Sequence, residues 1–256
     1  MKKLVISDIH ANPEALEAVL AASKGEYEGI LCLGDITGYG PDPEACIRIL
    51  RSLQNTVESC VMLSGNHDAV LFGAIPLDWF NKPAHASILR MKRTLSPDSL
   101  EWLSFLPSYV DLGKRALAVH GAPEEPVTGY LFGGMETQSA LSYMDAHCFD
   151  VCFCGHTHSA AVFTGGRKAG SRSPASGESV SLTDAPVIVN PGSTGFPRTF
   201  NGTGQGANGV LPPGGPISPG SYPAYFAIWD TAARTVDFRE ARYDRTPVEE
   251  KLARLK

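Results

Sequence analysis

The feature that most limits what this chain can become is a repeated couplet: a short apolar run, then an aspartate, asparagine or histidine, with a glycine close by. Residues 3–7 (KLVIS) run into Asp8 and His10, residues 29–33 (GILCL) into Gly34 and Asp35, and residues 60–63 (CVML) into Gly65, Asn66 and His67. Runs this short, bounded by turn formers, read as buried strands. Between them, Asn12-Pro13 and Asp42-Pro43 each offer an N-cap followed by proline at the first helical position. Leu16, Val19 and Leu20, then Ile47, Leu50 and Leu53, mark one face of the helices that follow. Strand and helix alternating in this way call for a parallel sheet. In such a sheet the carboxyl ends of the strands, where the polar residues collect, form the edge at which ligands bind.

The rest of the chain divides unevenly. Residues 71–106, with Trp79 and Phe80, a helical stretch near 84–93 and a further helix capped by Ser96 and Pro97, are expected to form a helical side element. From Tyr109 the pattern turns β-rich, with strands near 116–119, 151–154, 160–163, 187–189, 225–229 and 235–240, the last two as a hairpin. A final helix starts at Thr246-Pro247 and carries Glu249 and Glu250 in its first turn, where the helix dipole favours negative charge. Two segments, 164–184, rich in Gly and Ser, and 201–223, with seven Gly and five Pro, read as long loops. Length and composition fit one domain over residues 1–256.

Charge and cysteine usage narrow the partners. A net charge of −5 gives no long-range attraction for a polyanion, which disfavours long nucleic acid and suits a small phosphorylated substrate. The N-terminal apolar run stops at Asp8, too short for a signal-peptide core or a membrane span, so a cytoplasmic protein is expected. Six cysteines without such a signal read as buried thiols rather than a disulfide framework. Cys152 and Cys154, although near metal spacing with Cys148, alternate along a buried strand where small thiols pack well.

The chemistry lies in the polar ends. His120 closes the run ALAV, and His156 and His158 follow VCFC in CGHTH, so five of the seven histidines stand at or just beyond strand ends with Asp or Asn companions. A single histidine after a strand is ordinary; a structural explanation of all of them would need five unrelated accidents. Imidazole nitrogens mixed with carboxylate oxygens suit Mn, Fe, Co, Ni or Zn better than Ca or Mg, which prefer all-oxygen cages. The seven residues Asp8, His10, Asp35, Asn66, His120, His156 and His158 fall in an order suited to two adjacent divalent ions, which could hold a hydroxide and clamp a phosphate during in-line displacement. The later segment VNPGSTGFPR adds Ser193 and Arg198 as candidate phosphate contacts, against the alternative of a structural turn with a solvated arginine. Tyr39 could stack on a base or close the pocket, or simply pack. His85 and His147 lack acidic companions at ligand spacing.

The series DIH at Asp8, GD at Asp35, GNHD at Asn66, a strand-end histidine at His120 and GHTH at His156 resembles the calcineurin-like metallophosphoesterases, directly over residues 8–158. The resemblance implies an α/β fold of four layers, α-β-β-α, in which two mixed β-sheets form a sandwich flanked by helices with the metals at one end. It implies one metal held by Asp8, His10, Asp35 and His158 and a second by Asp35, Asn66, His120 and His156, with Asp35 as bridge. His67 would lie beside the phosphate and protonate the leaving oxygen, chemistry suited to an imidazole. Where the protein phosphatases and diadenosine tetraphosphatases carry an Asp-Arg pair after GD, this chain reads GDITGYG, with Gly38 and Tyr39 in those places. The acid expected to orient His67 is therefore missing, and either Asp68 or another group does that work, or the ring is held less tightly. The string GDITGYGPDP is similar to small single-domain bacterial phosphodiesterases and phosphatases. The expected activity is thus hydrolysis of a small-molecule or nucleotide phosphodiester, and also of monoesters. The alternatives are a nucleotide phosphatase, a nuclease, or a non-catalytic scaffold of this fold that binds protein partners; oligomeric state is not readable.

Overall fold

Period-two burial along the strands builds the layers. In the computed structural model, which describes residues 1–166, 169–184, 186–198 and 221–255, strand β1 (Lys2–Ile6) is followed by α1 (Pro13–Ala22), β2 (Gly29–Cys32), α2 (Pro43–Gln54) and β3 (Ser59–Met62). These strands pair in parallel, β2 lying between β1 and β3. Asn12 caps α1 through its side-chain oxygen, which accepts from the Ala15 N–H at 3.1 Å. Asp42 makes no such cap on α2; its carboxylate pairs with Lys251 instead.

One turn of helix, α3 (Asn66–Ala69), then leads into short 3₁₀ turns at Val70–Phe72 and Leu77–Trp79 and into α4 (Lys82–Thr94) and α5 (Pro97–Ser104), the helices expected in the side element. Strands β4 (Tyr109–Gly113) and β5 (Ala116–Val119) precede α6 (Met135–Ala146). That helix is absent from the sequence reading because its polar and apolar residues barely segregate; it is held by Ala140, Leu141 and Met144, all buried. After β6 (Val151–Phe153) and β7 (Ala161–Thr164), the expected loop over 164–184 is corrected. It contains β8 (Gly170–Arg172), exposed and polar throughout, and β9 (Ser179–Ser181), which buries only Val180, edge strands too short to give an apolar alternation to read. Strand β10 (Val187–Asn190) and the antiparallel hairpin β11 (Tyr222–Asp230) and β12 (Thr235–Tyr243) complete the sheets, before α7 (Thr246–Arg254). Of the second expected loop, residues 201–220 lie outside the described residues, while Tyr222 and Pro223 belong to β11.

Two six-stranded mixed sheets result, ordered β3-β2-β1-β11-β12-β9 and β4-β5-β6-β10-β7-β8. Val5, Leu31, Ala227 and Phe238 of the first meet Ala118, Phe153, Val162 and Val189 of the second in the core between them. Their neighbours along the strands point the other way. Leu4, Ile30 and Phe226 pack on α1, α2, α4 and α7, and Leu117, Cys152 and Phe163 pack on α6. The result is the four-layer α-β-β-α sandwich that the resemblance implied. Cys152 and Cys154 serve as small apolar residues beneath α6, and all six cysteines are free thiols. No helix among the described residues is long and apolar enough to cross a membrane.

Candidate metal centre

All seven candidate ligands are brought together, each no more than 5% exposed. The chain leaves β1 and β2 side by side and continues their hydrogen bonding past the strand ends, with Asp8 N–H donating to Gly34 O (3.1 Å), His10 N–H to Asp35 O (2.9 Å) and Ala11 N–H to Ile36 O (2.8 Å). To aim successive side chains into one space the backbone turns left-handed. Asp8, His10, Asp35, His156 and His158 all have φ between 50° and 67°, a region disfavoured for residues with a Cβ. Strain of this kind, of order 1–3 kcal/mol per residue, persists where the surrounding structure enforces it and collects at functional sites. Gly65 makes the cluster possible in a different way: a Cβ there would stand 2.1 Å from Asp35 Oδ1.

Backbone carbonyls fix the tautomers of three imidazoles. His10 Nδ1 donates to Thr37 O (2.8 Å), His120 Nδ1 to Leu33 O (2.8 Å) and His158 Nδ1 to Phe196 O (2.7 Å); a carbonyl can only accept, so each neutral ring keeps a bare Nε2. Those lone pairs face other acceptors. His10 Nε2 is 2.9 Å from His158 Nε2, and His120 Nε2 is 3.1 Å from Asn66 Oδ1 and 3.2 Å from His156 Nδ1. Asp35 Oδ2 lies 3.5 Å from His10 Nε2 and 3.4 Å from His120 Nε2, between the two groups. Buried Asp8 Oδ2 makes no hydrogen bond among the described residues.

Such convergence of lone pairs is repulsive unless a cation sits among them. Donors about 2.0–2.1 Å from a transition metal at right angles to each other are separated by roughly 2.9 Å, the His10 to His158 spacing. The ligand atoms of Asp8, His10, Asp35 and His158 lie within 4.8 Å of one another, as do those of Asp35, His120 and His156. The residues present therefore fit divalent metal ions, and the two groups share Asp35.

Without a cation the charge balance is unusual. Burial pushes the Asp8 carboxyl up to about 7 and His10 down to about 3, and holds His156 and His158 well below the usual imidazole range. Burial opposes ionisation of Asp35 too, but His120, His67 and His10 around it hold it well below the usual carboxylate range. Asp35 in turn outweighs burial at His120 and raises it to about 9. A proton on His120 thus stands in for positive charge that the cluster is built to receive.

The sequence model of the calcineurin-like phosphoesterase family matches residues 1–160. The chain belongs to this family. The chain is 35% identical over 199 residues to an uncharacterized protein of Methanocaldococcus jannaschii, covering 76% of each chain. It is also similar to a metallophosphoesterase of Sphaerobacter thermophilus, 28% identical with a TM-score of 0.75, over 100% of this chain and 94% of the other. A hypothetical protein of Pyrococcus horikoshii, 22% identical with a TM-score of 0.72 over the same shares, has the same fold.

Beside the candidate metal ligands, the chain has a small pocket lined by His67, Tyr39, Arg198 and Tyr130 together with Asp35, Asn66, His156 and His158. A wider cleft between Lys3, Leu112, Trp229 and Arg234 sits at the amino end of β1, away from these donors, so donor chemistry rather than cavity size locates the site. His67 is 4% exposed and anchored by its backbone N–H, which donates to Asp35 Oδ1 at 2.8 Å. Among the described residues no carboxylate hydrogen-bonds to its ring. Rings hold it instead: Tyr39 at 4.7 Å, His10 at 4.9 Å and Phe80 at 5.0 Å between centroids. Asp68 is committed elsewhere, accepting from the backbone N–H groups of Ile36 (3.1 Å), Thr37 (2.9 Å) and Gly65 (3.0 Å) and from the Thr37 hydroxyl (2.9 Å). It clamps the loop that positions Asp35 and, through Thr37 O, His10.

Arg198 lines the pocket together with Tyr39. Ser193 does not meet the expectation of a phosphate donor: its one hydroxyl proton goes to Asp8 O (2.8 Å), while its oxygen accepts from Phe196 N–H (2.8 Å). It braces the turn beside Asp8. Asn190 of the same segment donates to Gly155 O (2.6 Å) and to the Thr157 hydroxyl (3.0 Å), bracing the loop that carries His156 and His158. Sequence reasoning missed Thr37, the roles of Asp68 and Phe80, and Tyr130, whose ring centroid lies 3.9 Å from that of His156.

Proposed function

We propose that this phosphoesterase hydrolyses phosphodiesters of small molecules, and phosphomonoesters at lower efficiency, at a centre of two transition-metal ions drawn from Mn, Fe, Co, Ni and Zn. One ion would be held by Asp8, His10, Asp35 and His158 and the other by Asp35, Asn66, His120 and His156. The observation that carries the reading is the set of carbonyl-fixed imidazoles whose Nε2 atoms converge around a shared, ionised Asp35. When bound, the metal pair supplies Lewis-acid chemistry, making water a stronger nucleophile and neutralising phosphate charge.

The side chains supply the rest. Arg198 can offer two N–H groups to phosphate oxygens from the pocket wall, an arrangement favoured for planar oxyanion recognition. His67 Nδ1 is sealed without a partner, so exchange of a proton with the leaving oxygen falls to Nε2. Burial lowers the pKa of this ring, so it is neutral in the free protein, and a bound phosphate anion would favour its protonated form. The free thiols suit a reducing compartment, and we place the protein in the cytoplasm.

The test is turnover of bis-p-nitrophenyl and p-nitrophenyl phosphate by the manganese-loaded protein, with His67→Asn alongside. The parent is expected to hydrolyse both, the diester faster, and His67→Asn to keep its metal and lose most activity, a loss of roughly 10²-fold or more. Metal bound without turnover of either ester would instead support a scaffold.

A further inference from the structure

Beyond the pocket that would receive the phosphoryl group, rings from separate parts of the chain form a rim. Trp79 ends the 3₁₀ turn Leu77–Trp79, and Tyr130 lies in the connection between β5 and α6. The two ring planes differ by only 20°, with centroids 6.4 Å apart. Trp79 is inclined 18° to the ring of the metal-ligand candidate His156, with 6.3 Å between centroids, and Tyr130 packs on that same imidazole at 3.9 Å. Phe132 continues the array at 5.6 Å and 12° from Tyr130. On the other side Trp79 meets Phe80 at 5.2 Å, and Phe80 meets His67 at 5.0 Å.

These rings are supported from below and open above. Leu131, next to Tyr130, is 2% exposed and belongs to the core under α6, and Leu77, two residues before Trp79, packs against the core on the opposite side of the sandwich. Buried Leu131 and half-buried Leu77 anchor the backbone while Trp79 and Tyr130 remain 44% and 41% exposed. A single exposed aromatic residue needs no explanation. Two large rings, nearly parallel and both packed against one imidazole of the metal cluster, form an apolar shelf at the mouth of an otherwise polar site.

We infer that the phosphoester this site takes carries a flat aromatic or heteroaromatic group on its alcohol side, and that Trp79 and Tyr130 form the shelf on which that ring lies. The inference rests on the phosphoester reading of the site. Phosphate oxygens would be met by Arg198 and by metal held on the candidate ligands, so the organic part of the ester would leave the pocket across its rim, where Tyr130 is itself part of the lining. Stacking of a base on an aromatic side chain contributes about 1–3 kcal/mol and tolerates any ring with a π face, so the shelf selects for aromaticity rather than for one base. A sugar or alkyl phosphate would leave it uncovered.

The experiment compares substrates matched in leaving-group chemistry: adenosine 5′-monophosphate against ribose 5-phosphate, and benzyl phosphate against cyclohexylmethyl phosphate, each as monoester and as methyl diester. The ring-bearing member of each pair is expected to have about tenfold or higher kcat/KM. Trp79→Ala should reduce that preference by about tenfold, mostly through KM, while Trp79→Phe keeps most of it. Tyr130→Ala should act in the same direction. Tryptophan fluorescence gives a readout free of chemistry: saturable quenching by adenosine 5′-monophosphate but not by ribose 5-phosphate, lost in Trp79→Ala. A preference confined to the benzyl pair or to the nucleotide pair supports the shelf and names the ring. Equal kcat/KM within both pairs, unchanged in the two alanine variants, overturns it. If the metal-loaded protein turns over no ester at all, the phosphoester reading fails, and the quenching alone decides the shelf, its absence overturning it.

Discussion

Gly38→Ala tests whether packing, in place of an acid, is what holds His67. Gly38 has φ of +94°, and a Cβ at this position would stand 2.4 Å from His67 Nδ1, 2.8 Å from its Cγ and, in a milder contact than those to His67, 3.0 Å from His10 Nδ1. Ordinary van der Waals contact begins near 3.4 Å, so the ring must retreat by about 1 Å. It cannot do so freely, because Tyr39, Phe80 and His10 pack around it. The left-handed backbone adds roughly 1–2 kcal/mol for any residue with a Cβ. The expected loss of stability is therefore about 1–3 kcal/mol, measured by urea unfolding of the metal-free protein. A displacement of 1 Å in a catalytic group can lower the rate about 10²-fold. Turnover of bis-p-nitrophenyl phosphate should fall by that order, while metal content, measured by inductively coupled plasma mass spectrometry, stays at the parental level. Because the effect runs through His67, combining Gly38→Ala with His67→Asn should cost little beyond His67→Asn alone. A Gly38→Ala protein with parental kcat, or a double variant whose losses multiply, would refute the reasoning.

Removing the Asp68 carboxylate with Asp68→Ala strands three buried backbone N–H groups that it now satisfies. At roughly 1–3 kcal/mol for each orphaned group, the loss should reach about 3 kcal/mol or more in urea unfolding, with weaker metal binding because the Asp35 loop loosens. Metal affinity should rise with pH. In the metal-free protein His120 holds its proton up to about 9 and Asp8 up to about 7, so at pH 8 binding must expel about one proton and below pH 7 about two. Calorimetric titration in two buffers of different ionisation enthalpy reads this release directly, and an affinity independent of pH between 6 and 9 would contradict it.

The strand ends and their ligands were legible because a buried parallel strand is a short apolar run, and the residues just past it must serve the exposed edge. GD at Asp35 and GNHD at Asn66 place the polar group and the permissive glycine together. What orients those ligands was not legible. Thr37, Leu33 and Phe196 act through backbone carbonyls, which every residue has, so no side-chain pattern marks them. The Gly38 and Tyr39 found where related enzymes carry an Asp-Arg pair were visible as a departure, but the consequence lies in tertiary packing: the His67 ring sits against Gly38 and the Tyr39 ring. Helix α6 and strand β9 pack on a sheet face and edge distant in sequence, which local periodicity hardly records, and β8, although it pairs with adjacent β7, is exposed and polar along its whole length.

The most direct test of the centre itself is the metal content of the reconstituted protein together with two variants. Two ions per chain in the parent, both lost or weakened together in Asp35→Asn, and one retained in His10→Ala, are expected from ligand groups that share one carboxylate. A parent that binds a single ion at saturation, or an Asp35→Asn variant that keeps two ions with parental affinity, would contradict a centre bridged by Asp35.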